Sequence, residues 1–68
     1  MTTIEEIHNS MILIDQYIRN LKLGNNVNKD SLLSLINDTI NNLTNLQIND
    51  NDYKHHILET LNNYKNYI

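Results

Sequence analysis

The sequence predicts an all-α chain folded as a small antiparallel three-helix bundle, on three observations. Apolar residues step by threes and fours through the first two dozen positions. Proline is absent, and the single glycine, Gly24, stands where that stepping stops. Two short polar links then divide the 68 residues into segments of similar length, which favours up-down-up packing.

The first helix is expected over residues 3–23. Ile4, Ile7, Met11, Ile14, Ile18 and Leu21 form a heptad seam that keeps one edge facing a partner. Thr2 with Glu5, or Thr3 with Glu6, can open it as a capping box, each side chain bonding a free backbone N–H. Glu5 and Glu6 complement the helix dipole at that end, and Lys22 does so at the other. Gly24 is a ready left-handed cap.

The link Gly24-Asn25-Asn26-Val27 is short, so the next helix should turn back alongside the first. Asn28 is the expected N-cap of a helix over 29–47, with Val27 and Leu32 as a hydrophobic staple. Its apolar residues Leu32, Leu33, Leu35, Ile36, Ile40, Leu43 and Leu46 cover a wide arc, as a helix touching two neighbours requires. Asn49-Asp50-Asn51-Asp52 breaks the chain again, and a third helix over 52–67 presents Tyr53, Ile57, Leu61, Tyr64 and Ile68 inward. The competing architecture is a long helical hairpin, helices two and three nearly continuous, that dimerises into a larger helical bundle. The break at 49–52 speaks against it.

One domain spanning 1–68 is all this length allows. A core of this size supplies about 3–5 kcal/mol, so small proteins usually add a disulfide, a metal or a partner. Cysteine is absent, which removes disulfides and thiolate metal sites. Association is the remaining source, and a homodimer is the default expectation.

Asparagine and isoleucine abound, as in an AT-rich genome, yet lysines are few and phenylalanine is missing. The formal net charge of −3 works against nucleic acid, whose binding rests on neutralising phosphates. No apolar run approaches the roughly 20 residues of a membrane span, and no targeting segment is legible. The expected setting is therefore cytoplasmic, the host cytoplasm if the source is viral. On that reading the sequons at Asn37 and Asn42 are accidental.

Phosphate-binding glycine loops, nucleophile elbows and zinc-protease motifs are missing, so neither an enzyme nor a cofactor is expected. His55 and His56 are adjacent and point about 100° apart, which suits no shared metal. The pairs Asp52 with His56 and His55 with Glu59 have helical ligand spacing, but read more simply as a solvated face. His8 sits beside the seam, as a rim residue or a pH-sensitive contact.

The more telling residues are apolar ones left over. Ile12 and Leu23 point nearly opposite the seam, and Leu13 about 120° from it. Tyr64 and Tyr67, with Tyr53 and Thr60 on a similar side, offer large amphipathic area near the end of helix three. Ile12, Leu13, Leu23, Tyr64 and Tyr67 are the candidate partner interface. The expected function is a non-enzymatic protein-binding regulator or inhibitor that occupies a surface of a larger protein. A phage, virus or mobile element of AT-rich composition is the expected source. The alternatives are a self-associating structural or assembly subunit and, less favoured, a histidine-based phosphotransfer or metal-binding module.

Overall fold

The computed structural model describes residues 3–47 and 49–68. Three helices follow in order, α1 (Ile4–Lys22), α2 (Lys29–Asn45) and α3 (Asn51–Tyr67). At 19, 17 and 17 residues they span about 26–29 Å each and run up, down and up. The chain leaves the helix at Leu46 and re-enters it at Asn51, so α2 and α3 are separate and the long-hairpin alternative fails. The helix α2 is the central element, packed on both others.

Each helix begins on a side-chain cap. The backbone N–H of Glu6 donates to Thr3 Oγ1 (3.2 Å), which is the hydroxyl half of the capping box. The other candidate cap, Thr2, lies outside the described residues. Asn28 caps α2 by accepting from the Ser31 N–H (3.1 Å), and Val27 before it packs against the core that holds Leu32. Asp50 caps α3 by accepting from the Tyr53 N–H (2.9 Å). That cap places the start of α3 one residue earlier than the sequence suggests and leaves Asp52 in the first turn.

Gly24 adopts φ +83°, and around it the end of α1 closes as a Schellman motif. The Gly24 N–H reaches Leu21 O (3.1 Å), and the Asn25 N–H reaches Asn20 O (3.0 Å). A Cβ at residue 24 would meet nothing within 4 Å, so substitution costs only backbone strain. Gly24→Ala is therefore expected to lower stability by about 1 kcal/mol, and Gly24→Asn by less, in urea unfolding.

The end of α2 is closed differently. No basic residue occupies its last turn. Instead Lys54, reaching back from the first turn of α3, donates its ammonium to Thr44 O and Leu46 O, both at 3.1 Å. One cation thus satisfies carbonyls the helix cannot and offsets the negative end of its dipole. The helix α2 stops at Asn45, short of the expected residue 47, and Leu46 turns to extended backbone.

Among the described residues the fully buried apolar side chains are Ile7, Ile14 and Ile18 of α1, Leu32, Ile36 and Leu43 of α2, and Leu61 of α3. Removing each from water is worth roughly 1.5–3 kcal/mol. Met11 and Leu21 are half-buried, so the seam is an internal edge from Ile7 onward. Ile4 departs from that expectation and is 49% exposed. Among the described residues it lines a cleft with Gln47, Asn49, Asp50 and Tyr53. Thr39 is buried on α2 among the apolar residues, its hydroxyl donating to Leu35 O at 2.7 Å.

Candidate interaction surface

The outward side of α1 carries the first candidates. Leu23 is 77% exposed, Ile12 47% and Leu13 41%. Eleven residues of helix turn Ile12 and Leu23 to within about 20° of each other, yet set them about 16 Å apart along the axis. Gln16 and Arg19, both exposed, occupy the turns between them. The two are thus separate apolar points on one polar line. Leu13 belongs to another side of the helix, one turn before Tyr17. Tyr17 is also exposed, and with Asn28, Ser31 and Leu32 it lines a small groove between α1 and α2. Tyr17 is not among the candidates expected from the sequence, and its spacing of four from Leu13 is the signal that points to it.

The two tyrosines of α3 have different roles. Tyr64 is half-buried, and its hydroxyl donates to Asp15 Oδ1 of α1 (3.2 Å). The other oxygen, Asp15 Oδ2, holds Arg19 Nε at 3.0 Å. Tyr64 therefore ties α3 to α1 and fixes a carboxylate that in turn positions a guanidinium. Tyr67 is exposed, with the Lys22 ammonium 5.4 Å above its ring.

The Tyr64 hydroxyl titrates above the ordinary tyrosine range. Desolvation is the main cause, followed by the charge of Asp15 and its hydrogen bond, while Arg19 opposes the shift. The folded chain thus holds this proton more tightly than the unfolded one. Its contribution to stability is fully present below the unfolded value of about 10 and is lost as pH rises through the folded value. Thermal unfolding followed from pH 8 upward should show a steeper alkaline decline in the natural chain than in Tyr64→Phe.

The topology brings together a group that the linear sequence scatters. The last turn of α1, the start of α2 and the last turn of α3 meet at one end of the bundle, joined across α1 and α3 by Lys22 and Tyr67. Lys22, Lys29 and Lys65 stand at that end, with Arg19 one turn inward and Asp30 as the one carboxylate in the first turn of α2. Leu23 and Tyr67 are the exposed apolar residues among them. The opposite end carries Glu5, Glu6, Asp50 and Asp52, against the single ammonium of Lys54 among the described residues. The small negative net charge conceals a charge separation along an axis of 38 Å.

His8, His55 and His56 are all exposed. His55 Nε2 lies 3.9 Å from Glu59 Oε2 on open surface, a pairing of little energetic weight. Among the described residues no three histidine, cysteine or acidic side chains gather as a metal site, and no helix is long and apolar enough to cross a membrane.

The fold and surface define a small helical bundle with a polarised exterior. No protein-family model, curated protein or solved structure matches this chain.

Proposed function

We propose that this protein is a non-enzymatic binding module that regulates or inhibits a larger protein by occupying one of its surfaces. The observation that carries the reading is the end of the bundle where Leu23 and Tyr67 stand exposed beside Lys22, Lys29 and Lys65. Apolar anchors within a charged rim are the anatomy of protein-binding patches, the anchors supplying affinity and the rim supplying steering. The complementary partner is a protein with an apolar pocket edged by carboxylates. The overall negative charge favours such a partner over the continuous phosphate array of a nucleic acid. The asparagine- and isoleucine-rich composition fits a phage, virus or mobile element whose product acts in the host cytoplasm.

The test compares the natural chain with Leu23→Asp/Tyr67→Ser as baits in a lysate of the cell in which the gene resides. Both substituted side chains face solvent, so the variant should keep its helical circular dichroism. A protein held by the natural chain should be lost by the variant, and the purified pair should then bind in titration calorimetry with the same loss. A partner retained equally by the variant would contradict the assignment to this end.

A further inference from the structure

We infer that a second copy of this chain docks antiparallel on the outward line of α1 formed by Glu5, Ile12 and Arg19. Steps of seven residues keep these three on one line, with Ile12 in the middle and an opposite charge about 10 Å to either side. That pattern is complementary to itself in one orientation only. A two-fold axis at Ile12 sets Glu5 of each chain against Arg19 of the other, whereas parallel pairing would set like charges together.

Three further observations support this occupant. All three residues are exposed, and Ile12 is an apolar side chain with nearly half its surface in water. The Arg19 guanidinium is already oriented, since its Nε is bound to Asp15, which Tyr64 holds from α3. Its terminal amino groups remain to meet a second carboxylate. At the scale of the bundle, antiparallel alignment brings the lysine end of one copy beside the acidic end of the other. One helix face is a small contact, at or below the roughly 1,000 Å² of specific interfaces, so the dimer is weak and sensitive to salt. It is centred away from Leu23 and Tyr67, and it stands or falls independently of the binding end proposed above.

Sedimentation equilibrium tests it. In low salt the natural chain should self-associate as its concentration rises toward millimolar, and half-molar salt should return it to monomer. Glu5→Arg and Arg19→Glu should each weaken self-association about tenfold or more, because each sets like charges together at both ends of the contact. An equimolar mixture of the two variants should regain a one-to-one dimer, which also shows that both have folded. Ile12→Asp should abolish pairing with the helical signal intact. A natural chain that stays monomeric in low salt would overturn the inference, as would an Arg19→Glu chain that associates unchanged or variants that fail to pair when mixed.

Discussion

With Ile14→Glu in place, the far-UV helical signal should fall to that of an unfolded chain at room temperature. Ile14 has no exposed surface and lies between Ile7 and Ile18 at the centre of the α1 seam. The substitution removes an aliphatic contribution of about 2–5 kcal/mol and puts a carboxylate where no donor waits for it. A bundle of this size has about 3–5 kcal/mol in all, so the loss exceeds the reserve. Lowering the pH to protonate the new carboxyl should restore part of the signal, because the neutral form is cheaper to bury. A variant that stayed fully helical would mean the seam does not hold the bundle.

The second large effect is expected at Leu61→Ala. This is the only fully buried apolar side chain among the described residues of α3, whereas α1 and α2 each have three. Truncation to alanine leaves a cavity in the core cluster it shares with α1 and α2 and should cost about 2–5 kcal/mol. Ile57, Leu58, Tyr64 and Ile68 are only partly buried and cannot make up the difference. Urea unfolding should show a midpoint near zero, and proteolysis should cut α3 first, since α1 and α2 keep their mutual contacts. Equal cutting in all three helices would instead show that the bundle melts as one unit.

Most of the fold was legible because it is written in local rules. The stepping of Ile7, Ile14 and Ile18, the cap at Asn28 and the positive φ at Gly24 each follow from neighbours within a few residues. Parts that depend on distant residues were not legible. Lys54 closing α2 requires knowing how α3 is set against the end of α2, and the exposure of Ile4 likewise depends on elements distant in sequence. Thr39 enters the core because its hydroxyl is satisfied by its own helix, which a polar letter in a pattern does not reveal.

The same division runs through the candidate surface. Helical rotation alone places Ile12, Leu13 and Leu23 away from the seam, and all three are exposed. Whether they form one patch depends on axial distance and on neighbouring helices, and there they separate. Tyr64, grouped with Tyr67 in the sequence, turns inward to Asp15 because α1 presents that carboxylate at its level. The lysine end appears only when three helix termini are brought together by the topology.

The seam of α1 is buried within its own chain from Ile7 onward. Urea unfolding in half-molar salt, across a hundredfold range of low protein concentration, tests that claim most directly. An intramolecular seam gives a midpoint that does not change with dilution, since folding involves no second molecule. A midpoint that rises steadily with protein concentration would mean that the seam is shared between chains, contradicting the account.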